Sequence, residues 1–508
     1  MTAADEAAAD DGFDRSRALL EQVVSWLGGA EAATADHGEL ERRVEVDGRE
    51  LLRRLLQDHL DLRAHDEARL GAVVDVDGVG RGGLEVGHQR CLTTVFGEVT
   101  VTRFAYRARG LPNLHPADAV LNLPVGHHSH GIRRLAAVEA SRGSFDDAVD
   151  ALRRTTGQGV GKRQVESLAG AAAVDFDDFY RARRPPPAEE TDVIVLSCDG
   201  KGIVMRPGAL RAATASAAAK AKPKLVSRLS KGEKTNRKRM AEVVAVYAVA
   251  PVPRTPSDIL ASCSSSPTDD AGPTPVPAPK AKDKWVMASV ATDAASAIGA
   301  MFDEAERRDP DHKCPWAVLV DGNNHQIHRV QAEARERKVE VVIVCDFVHV
   351  LEYLWRAAWS FYPEGDPGAE AWVHEKASAV LAGGATRVAA AIRRKATYHG
   401  LDKSQRANAD ACAGYLTAKA PYLGYPEALS RGWPIATGII EGACRHLVKD
   451  RMDITGARWG LEGAEAVLKL RALRVNGDID DYWEFHLTRE RSRVHEAHYL
   501  DNVIPRAA

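Results

Sequence analysis

Three acidic residues stand at the ends of predicted elements, where a carboxylate could bind a metal ion: Asp199, Asp321 and Glu441. Asp199 and Asp321 close the short apolar runs Val193–Leu196 and Val318–Val320, which are typical of strands buried on both faces of a sheet. Glu441 opens a predicted helix after a Gly-Trp-Pro stop. A carboxylate beside an apolar strand is costly to bury without a partner. Two of them at the same relative position suggest a shared function, and binding divalent metal is the simplest one.

The first part of the chain is predicted to be mainly helical, with one β-hairpin. Helices are predicted over Arg15–Leu27 and about Leu40–Leu62, and the second suits either core packing or oligomerisation. Residues 91–107 alternate polar and apolar side chains around Gly97 and Glu98. This alternation predicts a hairpin whose two-residue turn is Gly97-Glu98, with Gly97 at positive φ.

A pair of helices is predicted next, over about 145–155 and 161–173, with Ser144 as the N-cap of the first. Lys162 and Arg163 open the second helix. A short turn between two such helices suits a DNA-binding helix-turn-helix. An αα-hairpin packed against another element has the same pattern, so both interpretations stay open.

After a proline-rich linker at 183–190, strands and helices alternate in a characteristic order. Three strands, a helix, a strand, a helix and a strand are predicted, which is the order of an RNase H-like fold. The segments are 193–196, 243–250, 285–291, 294–308, 317–320, 326–337 and 341–345. A Pro-, Ser- and Ala-rich loop over 251–282 separates the second and third strands, and an all-helical insertion is predicted from Phe347 to about Leu429.

In an RNase H-like fold the first and fourth strands are neighbours, so Asp199 and Asp321 are expected to lie close together. Glu441, on a later helix, can add a third carboxylate. Three such oxygen donors favour Mg²⁺, or Mn²⁺, as hard cations. Two ions about 3.5–4 Å apart can activate a water or a 3′-hydroxyl and stabilise the leaving oxygen of a phosphodiester.

The net charge of −3 conceals a strongly basic segment between Lys220 and Arg239, where nine Lys or Arg residues face only Glu233. Such a run is either a solvated loop or a nucleic-acid contact, and its place after Asp199 favours the second. Arg445 and Lys449 follow Glu441 at helical spacing, where they could hold phosphates. A surface helix with Glu–Arg pairing has the same pattern.

Composition excludes several other classes of protein. The 508 residues predict more than one domain, and 45% hydrophobic with 27% charged residues is normal for a globular protein. No apolar run is long enough to span a membrane, and the acidic N-terminus lacks the pattern of a secretory signal. Seven scattered cysteines without a C-x-x-C pair fit a reducing compartment, so a cytoplasmic location is expected.

Several strings of the sequence resemble the ISKra-type transposases of bacterial insertion sequences. They are SCDGKGIVMRPGALR, RLSKGEKTNRKRMAEVVAVY, DGNNHQ, CDFVHVLEYLW and GWPIATGIIEGACRHLVKDRMDITGARW, and the similarity extends from about Cys91 to Trp483. The resemblance implies a DDE transposase with Asp199, Asp321 and Glu441 as catalytic and metal-binding residues. The segment Asp346-x-x-His349 is similar to a signature shared with Mutator-like transposases, which implies accessory roles for both residues.

The resemblance also implies double-stranded DNA as partner, in the form of terminal inverted repeats and target, and at least a dimer when active. The cations predicted to contact DNA are Lys162, Arg163, Lys201, Arg228, Lys231, Lys234, Arg237, Lys238, Arg239, Arg445 and Lys449. Two alternatives remain, namely a nuclease of the same fold that does not join strands, and a domesticated DNA-binding protein without catalysis.

The predicted division has six parts, which differ in composition and element type. They are a helical region (1–88), a hairpin and helix-turn-helix region (89–185), the first part of the catalytic core (191–350), the helical insertion (351–430), the C-terminal helices of the core (431–485) and a tail (486–508).

Overall fold

A computed structural model of the protein describes residues 12–220, 225, 227–228, 237–262, 274–454 and 456–506. The chain divides into two compact units, one made of Met1–Arg181 with Gly477–Ala508 and the other of Ala182–Asn476. It is a mixed α/β protein with a two-stranded and a five-stranded sheet. Among the helices of the described residues, none is long and apolar enough to cross a bilayer.

The first unit is mainly helical and contains the two-stranded sheet. Its elements are α1 (Asp14–Leu27), α2 (Ala30–Thr34), α3 (His37–His65), β1 (Gly83–Thr94), β2 (Gly97–Arg107), α4 (Pro116–Val120), α5 (His130–Arg142), α6 (Phe145–Thr156), α7 (Lys162–Ala172) and α8 (Phe176–Ala182). Helix α3 begins before the predicted Leu40 because Asp36 and Glu39 form a capping box. Each side chain there accepts a hydrogen bond from the other residue's backbone N–H, which favours helix initiation at His37.

The predicted hairpin is present, but its turn was placed two residues too late. Thr94 pairs with Gly97, so Val95 and Phe96 form the turn, not Gly97 and Glu98. The Thr94 hydroxyl closes this turn by donating to the Gly97 carbonyl at 2.7 Å and accepting from the Phe96 N–H at 3.2 Å. Gly97 does have a positive φ of 142°. The sequence therefore located the glycine, whereas the threonine hydroxyl fixes the register.

The helices α6 and α7 form the predicted pair, and α5 packs against both. Ser144 caps α6 as expected, since its hydroxyl accepts the Asp147 N–H at 3.0 Å. Gly157 ends α6 in the left-handed region, at a φ of 73°. These two local signals explain why the boundaries of α6 could be predicted.

The second unit is built on the five-stranded sheet. Its elements are β3 (Val193–Met205), α9 (Ala212–Lys220), β4 (Arg237–Val249), α10 (Pro256–Ser262), β5 (Ala281–Ser289), α11 (Ala294–Arg308), β6 (Trp316–Val320), α12 (Asn324–Arg337), β7 (Val341–Cys345), α13 (Phe347–Ala358), α14 (Pro367–Leu381), α15 (Ala385–Tyr398), α16 (Ala407–Ala418), α17 (Tyr425–Ser430), α18 (Gly438–Ala443), a π-helical turn (Cys444–Lys449), α19 (Asp450–Met452) and α20 (Leu461–Asn476). Helix α10 lies within the segment predicted as a Pro-rich loop, and residues 263–273 of that segment lie outside the described residues.

The strand order in this sheet is β5-β4-β3-β6-β7. Strand β3 pairs antiparallel with β4, which pairs antiparallel with β5. On its other side β3 pairs parallel with β6, and β6 pairs parallel with β7. Helices α11 and α18 both pack on β3 and β4, and α20 packs on β5. The sheet is therefore mixed, with its two shortest strands in the parallel half.

The segment from Phe347 to Ser430 contains helices and no strand, as predicted from its lack of strand-like runs. Helix α16 packs against both α13 and α15, and each of the three helices has buried alanines. Small side chains allow close approach of these helices. We call the segment 351–430 the helical insertion.

The last segment returns to the first unit as α21 (Ile479–Val494). The Tyr482 hydroxyl donates to the Ala172 carbonyl at 2.6 Å, and the His486 Nδ1 lies 2.7 Å from the Asp175 carboxylate. This differs from the predicted division, which keeps 431–485 with the catalytic core. Tyr482 and Trp483 are buried, and α21 belongs to the first unit.

We expect Gly432→Ala to destabilise the second unit by about 2 kcal/mol or more, because a φ of 75° disfavours a side chain and its Cβ would lie 2.3 Å from the Val252 nitrogen. Urea unfolding measures the change. Gly414→Ala is the matched control, since that helical glycine has open space around it, and it should be neutral or stabilising. An unchanged midpoint for Gly432→Ala would contradict this close packing.

Candidate active site

Asp199 lies inside strand β3, not at the end of a short strand as predicted. The ladder to β6 stops at the pair Ser197–Leu319, whereas the ladder to β4 continues to Met205. Beyond Ser197, the described residues place no partner strand on the β6 side of β3 until an isolated bridge between Met205 and Trp459. The apolar run ends because this part of β3 is less covered, and not because the strand ends.

The register of the parallel strands brings Asp199 and Asp321 side by side. Ser197 pairs with Leu319, so extending both strands by two residues places Asp199 opposite Asp321. Neighbouring strands lie about 4.8 Å apart, and residues two apart point to the same face. The two carboxylates that the sequence paired are thus matched in position at the edge where β3 and β6 separate.

A third acid, Asp346, follows the end of β7. We call Asp199, Asp321 and Asp346 the row. Val320 pairs with Cys345, so the next residue of each strand places Asp346 opposite Asp321. The Asp346 N–H donates to the Val320 carbonyl at 2.8 Å, which extends the ladder to this point. Asp346 is only 2% exposed, whereas Asp199 and Asp321 are partly exposed. Asp346 thus follows the last residue of β7 as Asp321 follows the last residue of β6, and its N–H continues the ladder between these two strands.

Glu441 approaches this row from α18. It is exposed, and the Thr437 hydroxyl lies 3.4 Å from its Oε1. The same hydroxyl donates to the buried Oδ2 of Asp346. Because a hydroxyl has one proton, it donates to one of the two carboxylates at a time, and its contact with Asp346 is the shorter one. Thr437 is the N-cap residue of α18, but its side chain makes no cap hydrogen bond.

Cys444 connects the same helical segment to Asp199. Its thiol donates to the Asp199 Oδ2 at a sulfur–oxygen distance of 3.2 Å. Burial raises the pKa of the Cys444 thiol, and the charges of Asp199 and Glu441 raise it further. The thiol therefore stays protonated at neutral pH and acts as a hydrogen-bond donor. It stands three residues after Glu441, so helical spacing alone could have indicated it.

The second carboxylate is oriented by its own turn. The Asp321 Oδ1 accepts the Asn323 N–H at 2.8 Å, and Gly322 between them has a φ of 94°. The hydroxyl of Tyr415, from the helical insertion, donates to the Asp321 carbonyl at 3.1 Å. No signal near Asp321 in the sequence could have indicated Tyr415, which is 94 residues away.

Within the described residues, no group of three or more His, Cys, Asp and Glu side chains lies in position to hold a metal ion. The first two predicted ligands are instead held locally, Asp199 by Cys444 and Asp321 by Asn323, whereas Glu441 is exposed. Repulsion between like charges also favours their separation. The donor set itself consists of carboxylate oxygens beside a protonated thiol, which fits Mg²⁺ or Mn²⁺ better than a soft metal ion.

The helix that follows Glu441 changes its period. Cys444–Lys449 forms a π-helical turn, so the α-helical spacing that placed Arg445 and Lys449 on the face of Glu441 does not hold. The buried Arg471 of α20 stabilises this turn by donating to the carbonyls of Leu447, at 2.8 Å, and His446. Burial lowers the pKa of Arg471 to about 10, a value at which it remains charged at neutral pH.

The predicted DNA-contacting cations differ in what they already bind. Arg239 donates to the carbonyls of Val290 and Ala291, and is therefore a structural residue at the end of β5. Lys238 Nζ lies 3.6 Å from Asp453, and the Arg445 Nε lies 3.8 Å from Asp450. These two ion pairs are exposed and therefore weak, so neither removes its cation from possible contacts.

The remaining cations are placed as follows. Lys162 Nζ lies 2.5 Å from Asp146, across the α6–α7 turn, and Arg163 beside it is exposed. Lys201 is partly buried near Cys444 and favours the thiolate form of that residue. Arg228 and Lys449 are exposed, and Arg237 lies at the outer end of β4. Lys231 and Lys234 lie outside the described residues.

His349, the second accessory residue, is close to the row, and its ring packs against aromatic neighbours. Its ring packs edge-on against Tyr353 and Tyr415, with centroids 5.4 and 5.9 Å away, and its Nδ1 lies 3.7 Å from Glu352. A positive charge on His349 would favour the ionised form of Asp346.

Glu242 is a further carboxylate near the site, but it belongs to the other face of the sheet. It pairs with Gly200, one position after Asp199, so its side chain points away from Asp199. Burial raises the pKa of Glu242. It can therefore serve as a comparison for the acids of the row.

Comparisons of the chain with models of known protein families and with curated protein sequences found no match.

We expect Asp346→Asn to raise the free energy of unfolding at pH 7. Burial raises the pKa of Asp346 above 3.8, against the lowering effect of its hydrogen bonds. The wild-type protein therefore loses stability as the pH rises from about 4 through the folded-state pKa, at about 1.4 kcal/mol for each pH unit between the unfolded-state and folded-state pKa. Asparagine keeps the oxygen that caps α13 but avoids this loss.

Urea unfolding between about pH 4 and pH 8 measures the difference in the free energy of unfolding between Asp346→Asn and wild type. Asp366→Asn is the matched control, because Asp366 also caps a helix, α14, but is less buried. A variant that is less stable than wild type at pH 7 would show that Asp346 is stabilising in its ionised form, which is the opposite of the expected result.

Proposed function

We propose that the protein is a metal-dependent DNA transposase of the DDE type, with Asp199, Asp321 and Glu441 as its catalytic carboxylates. The observation that carries the proposal is the shared register of β3, β6 and β7. It aligns Asp199 and Asp321 with Asp346, while Cys444 and Thr437 connect this row to the helix that carries Glu441.

The arrangement of the sheet supports an RNase H-like interpretation of the core. Three strands in antiparallel succession, β3, β4 and β5, are followed by β6 and β7, which run parallel to β3 on its other side. This is the order expected of that fold from the sequence. The fold alone would not imply the activity, because one fold hosts many functions. The position of the acids is therefore the stronger support.

In this proposal Asp199, Asp321 and Glu441 would hold Mg²⁺ or Mn²⁺. The bound ions would lower the pKa of a water or a 3′-hydroxyl and stabilise charge on the leaving oxygen of a phosphodiester. Cys444 would orient Asp199 by its S–H bond, so that one carboxylate oxygen stays directed to the helix. Thr437, at the start of α18, would join the helix that carries Glu441 to the row through its hydrogen bond to Asp346.

The cations on either side of the acids support a polyanionic substrate. Lys201 follows Asp199 by two residues on β3, and Arg237 and Lys238 lie at the outer end of the neighbouring strand. In the other unit, the pair α6 and α7 keeps the interpretation of a helix-turn-helix, with Arg163 exposed at the start of α7. Contacts to phosphates would make binding strongly dependent on salt.

The test uses duplex DNA that carries the terminal inverted repeats of the element, a target plasmid and Mg²⁺. We expect Asp199→Asn, Asp321→Asn and Glu441→Gln each to reduce strand cleavage and joining by at least about a hundredfold, because each removes an oxygen that holds charge at the reacting phosphate. Gel electrophoresis of cleaved and joined products measures the effect, and mobility shift measures DNA binding, which should persist.

Glu242→Gln is the matched control, since it removes a nearby half-buried carboxylate from the opposite face of the sheet. It should leave both reactions within about threefold of wild type. Cleavage without joining by the wild-type protein would favour the nuclease alternative. Full activity of Asp199→Asn would exclude the proposed site.

A further inference from the structure

Two side chains at the end of α16 donate hydrogen bonds to the turn that follows Asp321. The Tyr415 hydroxyl donates to the Asp321 carbonyl at 3.1 Å. The ammonium of Lys419, which is 6% exposed, donates to the side-chain oxygen of Asn324. Tyr415 and Lys419 are four residues apart and so lie on one side of the helix. One helical turn therefore bonds both ends of the segment 321–324.

The contact between Tyr415 and this turn leaves no space for a side chain at Gly322. A Cβ atom there would lie 2.7 Å from the Tyr415 hydroxyl and 3.0 Å from its ring. The φ of 94° at Gly322 also disfavours any other residue. The glycine is thus what allows the ring to lie against the backbone beside Asp321.

Tyr415 is itself held firmly by its surroundings. Its ring stacks on that of Tyr353, from α13, with centroids 4.3 Å apart and planes 18° apart. Burial raises the pKa of the Tyr415 phenol, so the hydroxyl keeps the proton that it donates to Asp321. The stack holds the Tyr415 ring against α13. The hydrogen bond connects the same side chain to the turn after β6.

The bonded turn also sets the direction of the Asp321 carboxylate. Its Oδ1 accepts the N–H of Asn323, which lies between the two residues that α16 holds. A shift of this backbone would therefore rotate the carboxylate relative to Asp199. Lys419 is a buried cation bonded to a neutral amide, an arrangement that is costly for stability alone.

We propose that Tyr415 and Lys419 are positioning residues for Asp321, so that the helical insertion forms part of the metal-binding apparatus. The inference rests on the proposed function, because it assigns to Asp321 the role of metal ligand. It adds that the affinity of this ligand set depends on two residues of the insertion that do not touch the metal.

The test compares full-length wild type with Tyr415→Phe, which keeps the stacked ring and removes only the hydroxyl. Mn²⁺ binding is measured by the loss of free-ion signal in electron paramagnetic resonance, without DNA. Hydrogen-exchange mass spectrometry follows the peptide that covers residues 321–324. We expect Mn²⁺ affinity to fall about two- to tenfold and exchange in this peptide to accelerate by a similar factor, as for one lost hydrogen bond.

Two further variants separate positioning from general stability. Tyr353→Phe removes a hydroxyl from the other ring of the stack and should change neither measurement. Lys419→Met replaces a buried ammonium by an apolar chain of similar length and should preserve or raise the unfolding midpoint. It should nevertheless weaken Mn²⁺ binding and accelerate exchange over 321–324. This combination is not expected of a residue that only supports the fold.

The outcomes distinguish this inference from the function on which it rests. Wild type that binds Mn²⁺ no better than Asp199→Asn would overturn the proposed active site and, with it, the positioning role. Wild type that binds Mn²⁺ through Asp199, with unchanged affinity in both Tyr415→Phe and Lys419→Met, would overturn the positioning role alone. Weaker binding in both variants, with a normal midpoint and normal Tyr353→Phe, would support it.

Discussion

The parallel register of β3, β6 and β7 is the constraint on which the candidate site depends. Backbone hydrogen bonds fix which residues lie side by side, and a slip of one residue would turn a side chain to the opposite face. In the register present here, Asp199, Asp321 and Asp346 share one line across three strands. The buried apolar residues before Asp199 and Asp321 maintain that register, because they fill the core on both faces of the sheet, whereas β7 is buried only at Val344 and Cys345.

The same constraint creates an electrostatic problem, which the structure meets with local hydrogen bonds. Three neighbouring acids repel one another, and Asp346 is almost fully buried. Burial raises the pKa of Asp346, while Thr437 and the Val348 N–H lower it in part. Cys444 and Asn323 provide donors for Asp199 and Asp321. Every acid of the row thus has a donor from an element outside its own strand or from its following turn.

Much of the fold could be predicted because its signals are local. The capping residues Ser144 and Gly157 bounded α6, and the apolar run of β7 gave both of its ends correctly. The length of β3 could not be predicted in this way, because the polar and glycine residues 199–202 interrupt its apolar pattern, and pairing with β4 carries the strand across them to the buried Ile203. The π-helical turn was also missed, since its support comes from Arg471 on a later helix.

The site shows the same division between local and distant causes. Asp199, Asp321 and Glu441 could be selected because acids after apolar runs are unusual, and the order of strands predicts that the first two are neighbours. Tyr415 and Lys419 could not, because only the folded chain brings α16 to the end of β6. The metal-binding role of the three acids, their activity and the DNA partner remain predictions from the sequence and its resemblance to transposases.

The widened turn at Cys444–Lys449 has a consequence for how this segment can change in evolution. It accommodates one more residue than a regular α-helix of the same rise, so removing a single residue there could restore the ordinary period without lengthening or shortening the helix much. Because one full rotation with about the same rise is kept, the side chains after the deletion would keep nearly the direction they have now. A lineage could therefore lose one codon within this turn and leave both Glu441 and the cations beyond it in place, whereas the same loss from a regular α-helix would rotate everything after it by about 100°.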